Sequence, residues 1–358
     1  MEKIFLPRVN DLHFHGRSGQ VLKDILPFTS EVCSHALFMP NIAGNEIVNA
    51  RRVEEYRAEI LKVCNPLFSS CEPLMTIMIT PKTTPPTIEA AYNAGAVAAK
   101  IYPRGGTTNS ENGIDDWDSH QLMAVLEKME ELGMVLCVHG ELVYGAPEKI
   151  EVYGQYLGVL NEIEPSKREI RFCPIISKWC QLFPQLRIVF EHITTHAAVS
   201  LVFSLPKTVS ATITVHHLLV TEVDVMGSHL NPHLFCKPTV KGYADMAALR
   251  AAAFSGNPKF FLGTDSAVHT KSRKEECGCA GVFSAPVFVE ALIELFTEFG
   301  QLDKLPDFIS NFGADFYDLP RASQTISYRR EPSLVPGRIK ESYVPFMAGK
   351  TLAWRRDE

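Results

Sequence analysis

Eight short apolar runs, with helix-patterned stretches between most of them, leave this sequence few ways to fold. The runs cover residues 11–15, 36–40, 74–79, 98–102, 135–140, 188–193, 211–215 and 260–264. Stretches such as 46–63, 119–132 and 166–183 carry apolar residues at helical spacing. In the last, Pro174 is expected to start a helix or to kink one. Strands alternating with helices imply a parallel sheet. Eight such units in 358 residues favour closure into an α/β (β/α)8 TIM barrel, with the active site at the C-terminal ends of the strands. An open dinucleotide-binding sheet is disfavoured, because no Gly-x-Gly-x-x-Gly follows the first run. The whole of 1–358 reads as a single domain. The charged, Pro-containing segment from about 320 is expected to be an extension packed on the barrel.

Bulk properties narrow the function. Hydrophobic residues make up 46%, charged residues 21%, and the net charge is -6, a balance typical of soluble globular proteins. With no Lys/Arg-rich tail or face, no nucleic-acid partner is expected. No apolar run approaches the roughly 18 residues of a membrane span, and the first residues lack the apolar stretch of a secretory signal. Nine cysteines, an odd number scattered along the chain, read as reduced thiols in the cytoplasm. Cys277 and Cys279 are two apart with no second pair elsewhere, so a cysteine metal site is not expected.

Buried parallel strands should be almost wholly apolar, yet several of these runs end in metal-binding or charged side chains. The first ends in His13-Phe-His15, the fourth carries Lys100, the fifth ends in His139-Gly-Glu141, the sixth carries His192, and Asp265 follows the eighth. In a barrel the C-terminal strand ends converge on one face, which gathers these residues at one mouth. Side chains two apart on a strand point the same way, so His13 and His15 can hold one cation. His139 and His192, from neighbouring strands, can hold a second, and Asp265 arrives beside the first strand. Imidazole plus carboxylate suits Zn2+. Lys100 is anomalous, because an ammonium has no lone pair for a metal. Burial can drive a lysine to the neutral amine, which can add CO2 to become a carbamate able to bridge metals roughly 3.5–4 Å apart. The plain alternative is a lysine paired with a nearby carboxylate. One strand histidine is usually a hydrogen-bonded core residue; it is the set of six, each at its expected strand end, that argues for metal.

At this point a family resemblance enters. His13-Phe-His15-x-Arg17, Met39-Pro-Asn41, Lys100-Ile-Tyr-Pro, Thr107-Thr108-Asn-Ser, His139-Gly-Glu, Glu191-His192-Ile-Thr-Thr, Gly263-Thr-Asp265-Ser-Ala-x-His269, Cys277-Gly-Cys-Ala280-Gly281 and Val344-Pro-Phe-Met-Ala-Gly run in order through the chain. Together they resemble the short, monofunctional dihydroorotases of the amidohydrolase superfamily. The resemblance implies two Zn2+ per chain, one held by His13, His15 and Asp265 and the other by His139 and His192, with carboxylated Lys100 bridging them. It further implies that Arg17, Asn41 and His269 hold the substrate's α-carboxylate, that backbone near Lys237 and Ala280–Gly281 touches the ring, and that Thr107 and Thr108 ride on a closing lid. The implied reaction is the reversible cyclisation of N-carbamoyl-L-aspartate to L-dihydroorotate, with a hydroxide between the metals as nucleophile and Asp265 as proton carrier. A cytoplasmic homodimer is implied as well. The sequence departs from the family's usual pattern at Ser18 and at Ile42-Ala-Gly-Asn-Glu, both near the carboxylate clamp.

Elementary chemistry supports parts of this. The planar fork of Arg17 matches a carboxylate, and residues 104–113 are polar and Gly-rich, as a lid requires. A hydantoinase- or allantoinase-like amidohydrolase would share the metal set without needing the clamp. A one-metal deaminase of the superfamily would not need Lys100. A catalytically inactive scaffold barrel would typically have lost ligands. His216 and His217, ending the seventh run, are assigned structural roles, although they could approach the mouth.

Overall fold

The computed structural model describes residues 2–64, 71–152 and 155–357, and side chains outside 146–161. β1 (Lys3–Pro7) precedes β2 (Val9–Phe14), β3 (Cys33–Phe38), β4 (Glu72–Ile79), β5 (Ala96–Ile101) and β6 (Val135–Val138). Next come β7 (Tyr144–Val152), β8 (Gln155–Glu162), β9 (Ile188–Phe190), β10 (Val209–Ile213), β11 (Phe260–Leu262), β12 (Thr325–Leu334) and β13 (Thr351–Arg356). Eight of these, in the order β2-β3-β4-β5-β6-β9-β10-β11, form one parallel sheet. Each coincides with one of the eight apolar runs. The ring closes between β11 and β2 through a parallel bridge, Phe14 to Ser266, and the Asp265 amide donating to His13 O at 2.8 Å. Asp11 seals the seam below, accepting from Thr264 N at 2.8 Å and Thr264 Oγ1 at 2.6 Å. The chain is a (β/α)8 barrel.

The barrel is a packed core, not a pore. Leu12, Leu37, Met39, Leu74, Ala98, Val135, Val189 and Phe261 fill its interior, and Tyr317 closes the floor, its hydroxyl 3.2 Å from Cys137 Sγ. Each inward apolar side chain stabilises the ring by roughly 1.5–3 kcal/mol relative to exposure. The strands' outer faces pack on α1 (Gly19–Ser30), α2 (Ala50–Val63), α3 (Pro85–Asn93), α4 (His120–Leu132), α5 (Pro165–Leu182), α6 (His196–Ser204), α7 (Val215–Leu219), α8 (Glu222–Met226), α9 (Tyr243–Phe254) and α11 (Phe288–Glu298), with linking turns; α10 (Lys271–Cys277) buries Lys274, and α12 (Phe312–Phe316) packs against the interior cluster beside Tyr317. Threonine oxygens cap the helices at the mouth: Thr195 accepts from Ala198 N and Thr214 from His217 N.

One helix boundary moves, and one of the two places expected for Pro174 is excluded. The 46–63 segment turns helical only at Ala50, because Asn49 is extended and its side chain caps Arg52 N. Pro174 neither starts nor ends a helix: α5 begins at Pro165 in the first turn, where a missing N–H is harmless, and continues through Pro174. The carbonyl that Pro174 leaves unpaired belongs to Ile170, a half-exposed position open to water. Between β6 and α5 the chain inserts the antiparallel hairpin β7–β8, absent from the sequence reading. From 325 onward, β12 pairs with both β1 and β13 in a three-stranded antiparallel sheet, with Tyr328 and Trp354 buried. Among the described residues, no helix is long and apolar enough to cross a membrane.

Candidate active site

Strand ends deliver the candidate site side chains to a narrow cavity at the barrel mouth. It is lined by His13, His15, Arg17, Asn41, Tyr102, Thr107, Thr108, His139, His192, Lys237, Asp265, Ala267, Ala280 and Gly281. Of the residues expected at the site, only Lys100 and His269 are absent from this lining. Lys100 lies fully buried on β5, with Nζ 5.2 Å from the centroid of the Tyr102 ring. His269 stands behind Arg17, its Nε2 3.2 Å from Arg17 Nη2 and 3.0 Å from the Ala280 carbonyl.

The imidazoles form a contiguous row. Ring centroids of His13 and His15 are 5.3 Å apart, His13 and His192 4.9 Å, and His139 and His192 4.7 Å. Asp265 Oδ1 lies 2.9 Å from His15 Nε2 and 3.4 Å from His13 Nε2. His13 Nδ1 meets Glu191 Oε2 at 2.8 Å, and Thr212 Oγ1 donates to the same oxygen at 2.5 Å. A carboxylate on one ring nitrogen fixes the tautomer and leaves the other nitrogen's lone pair for a metal. His13 Nε2 is that other nitrogen, buried and without a hydrogen-bond partner among the described residues. Glu141 Oε2 does the same for His139 Nε2, at 2.8 Å. His192 Nδ1 is also buried and unpartnered. Buried polar atoms are almost always hydrogen-bonded, so two orphaned imidazole nitrogens facing one space fit a cation.

Electrostatics agree. Burial pushes His15 down to about 4 and lowers His139 and His192, so these rings stay neutral and keep their lone pairs. Burial alone would raise Asp265 and Glu191. The hydrogen bond from His15 and the nearby His13 hold Asp265 below the usual carboxylate range, and His13 with Lys100 does so for Glu191. Burial lowers Lys100, whose Nζ has no hydrogen-bond partner among the described residues. The carboxylate-paired lysine weighed as the plain alternative is therefore not what is found. Three site residues hold left-handed backbone, Arg17 at φ 57°, His192 at φ 40° and Asp265 at φ 45°. Each costs about 1–2 kcal/mol and survives only where surrounding contacts enforce it.

The turn after His192 is enforced by a residue the sequence did not flag. Glu169, fully buried on α5, accepts from Thr194 N at 2.8 Å, Thr194 Oγ1 at 2.9 Å, Thr195 N at 2.7 Å and Thr195 Oγ1 at 2.5 Å. The preceding residue supports the other histidine strand, since Leu142 N donates to Arg168 O. Tyr102, two residues after Lys100, lines the cavity and donates to Asn41 Oδ1 at 3.0 Å, a role its sequence position does not signal.

Residues 105–110 lie across the mouth. Asn41 Nδ2 donates to Thr108 O at 3.0 Å, Asn109 Nδ2 returns a bond to Asn41 O at 3.0 Å, and Thr108 Oγ1 reaches Ala280 O at 3.4 Å on the far wall. That wall needs glycine at 281: φ is 145°, and a Cβ would come 2.5 Å from Ala267 O. His216 and His217 are buried but do not line the cavity. His217 bonds Thr214 and the Pro238 carbonyl, while both His216 nitrogens lack hydrogen-bond partners among the described residues. His216, His217 and Cys236 bring their ligand-type atoms within 4.8 Å of one another, apart from the site above.

No family model matches the chain. Curated and solved proteins do. The dihydroorotase of Teredinibacter turnerae is 43% identical over 99% of this chain and 98% of its own length. Among solved structures, dihydroorotase from Campylobacter jejuni superposes with a TM-score of 0.88 at 34% identity, covering 100% of this chain and 98% of that one. Dihydroorotase from Saccharomyces cerevisiae in complex with 5-fluoroorotic acid gives 0.88 at 31% identity, covering 100% and 99%. Full-length likeness of this degree, on a barrel whose mouth gathers the expected histidines and aspartate, shows that the chain belongs to the dihydroorotase family of cyclic amidohydrolases, enzymes of pyrimidine biosynthesis.

Proposed function

We propose that this chain interconverts N-carbamoyl-L-aspartate and L-dihydroorotate through a two-Zn2+ centre held by His13, His15, His139, His192 and Asp265, with Lys100 carboxylated as the shared ligand. The observation that carries the reading is the row of four buried imidazoles, with His13 Nε2 and His192 Nδ1 orphaned among the described residues, beside a buried lysine that has no carboxylate in contact there. When bound, such a metal pair supplies Lewis acidity to an amide carbonyl and lowers the pKa of water towards neutrality. The protein's own groups do the rest. Glu191 and Glu141 orient the rings of His13 and His139. Asp265 carries the proton between the water and the ring nitrogen, as a carboxylate kept anionic by its neighbours can.

Arg17 is the centre of the carboxylate clamp, with Nε donating to Val268 O at 3.3 Å, Nη2 3.2 Å from His269 Nε2, and the rest of its planar fork available to two carboxylate oxygens. Asn41 and His269 flank it. Lys237, Ala280 and Gly281 offer backbone to the ring, and Thr107 and Thr108 cover it and exclude water. Holding the open-chain carboxylates in place raises the effective concentration of the cyclising groups. We further read the protein as a single-domain cytoplasmic homodimer with neither nucleic-acid nor membrane partners.

The test is ultraviolet absorbance with L-dihydroorotate at a measured metal content, with dihydrouracil and hydantoin as controls. Turnover confined to dihydroorotate is expected. Turnover confined to the neutral rings would remove the clamp from the account, and two bound metals with no turnover of any ring would overturn the substrate.

A further inference from the structure

The wall of the cavity opposite the lid contains a charge with no opposite number. Lys274, on α10, is 3% exposed. Its ammonium donates to three backbone carbonyls, Gly281 O at 2.7 Å, Cys279 O at 2.8 Å and Phe235 O at 2.9 Å. All three hydrogens are thus used, and no carboxylate lies within ion-pair distance among the described residues. Burying a cation this way is costly, and a glutamine or a water could satisfy fewer but uncharged contacts. The wall it ties together is the one that faces the cavity: Gly281 N also donates to Phe235 O at 2.9 Å, and Ala280 and Gly281 line the site.

The charge is felt in the clamp. After burial and Arg17, Lys274 is the next cause of the depression of His269 to about 3, and it also lowers His216. A neutral His269 leaves Arg17, Lys274 and the cavity-lining Lys237 as the basic side chains on this side of the cavity, and of the two lysines only Lys274 is tied into the wall by three carbonyls. Burial lowers Lys274 itself to about 8, which keeps most of it charged at neutral pH.

We propose that Lys274 is a positioning and specificity-determining residue: it shapes the Ala280–Gly281 wall and supplies a fixed positive field that selects ring substrates bearing a carboxylate. A fixed charge in a dry wall needs no reorganisation when an anion binds, and it acts at full strength where solvent screening is weak. This inference rests on the dihydroorotate reading of the site.

The test compares the wild-type enzyme with Lys274→Met, Lys274→Gln and Lys274→Arg, using orotate and its uncharged methyl ester as inhibitors of dihydroorotate hydrolysis at pH 7. The neutral variants are expected to raise the orotate inhibition constant on the order of tenfold and to leave that of the ester unchanged. Lys274→Arg should recover most of the orotate affinity. Equal loss for both inhibitors would reduce Lys274 to wall packing, and no change in either would remove its role altogether. If Lys274→Met does not fold, as judged by circular dichroism and metal content, the Gln and Arg pair makes the same charged-against-neutral comparison. A wild-type enzyme unable to turn over dihydroorotate would instead refute the proposed function, a different failure seen before any variant is made.

Discussion

His13, Lys100, His139 and His192, at the floor of the cavity, leave barrel strands or their first residues beyond, and each is at most 1% exposed. Arg17, Asn41, Thr108 and His269, at the rim, leave loops and are held chiefly by one another and by backbone carbonyls. The floor is fixed by parallel ladders on both sides of each strand; the rim is fixed by single hydrogen bonds that a substrate or a moving lid can exchange. The difference suits the work proposed for each. Ligand atoms around a metal tolerate only small errors of position, whereas a rim must open to admit what it then encloses.

Changing the floor should have the largest effect. Lys100→Ala is expected to lower turnover by on the order of 10³-fold or more and to lower metal content by elemental analysis, with partial recovery on adding a small carboxylate. Full metal content with unaided turnover would show that the floor does not use Lys100. At the rim, Arg17→Lys should raise the KM for dihydroorotate by on the order of tenfold or more, because a point charge cannot replace a two-pronged grip. Its kcat and metal content should stay near wild type; a fall in bound metal would mean that floor and rim are one unit.

The Glu169 buttress, tying α5 to the turn after His192, sharpens the comparison from behind. In Glu169→Gln an amide NH2 replaces an acceptor facing N–H and O–H donors. Metal affinity should fall by about 10- to 100-fold, and denaturant titration should show a stability loss of about 2 kcal/mol. Retained affinity would place the rigidity of the His192 turn in the strand alone.

The smallest effect concerns pH. His216 is buried and pushed down to about 4 from 6.5. Between those values the unfolded chain binds a proton that the folded chain does not, so its contribution to stability falls as pH drops from about 6.5 towards 4. From pH 6.5 to 5 that contribution is about 2 kcal/mol. His216→Leu should flatten the corresponding part of the acid limb in urea titrations at the two pH values. An unchanged slope would mean that His216 already carries a proton in the native protein.

Much of the floor was legible because polar residues on buried strands violate the rule that such strands are apolar, and the barrel dictates where their ends meet. Residues 11–15 carry the signal most clearly, with two histidines two apart. The supporting groups were less visible. Glu169 sits in a helix whose sequence, Pro-Ser-Lys-Arg-Glu-Ile-Arg, looks like a solvated charged face, and only the fold brings it beneath Thr194 and Thr195. Lys274, in Lys-Ser-Arg-Lys-Glu-Glu, is one cation among several until its burial is seen. The left-handed backbone at Arg17, His192 and Asp265 has no signature in sequence, since none of the three is glycine. The β7–β8 hairpin was missed because the strand–helix alternation that identified the barrel assigns no element to an inserted antiparallel pair.

The sheet that joins β1 to β12 and β13 sets an order on how the molecule comes into being. Ile4 pairs with Tyr328 and Lys3 Nζ meets Asp357 at 2.8 Å, so β1 waits for strands that lie on the far side of the whole barrel in chain order. Until then its edge is open and its ladder unmade, and the loop to be closed is about as long as the chain allows. All eight barrel strands are therefore synthesised before β1 has its partner. For the same reason the chain's two ends lie side by side, and a short linker across them would permit new termini in an exposed loop away from the mouth without unpairing a single barrel strand.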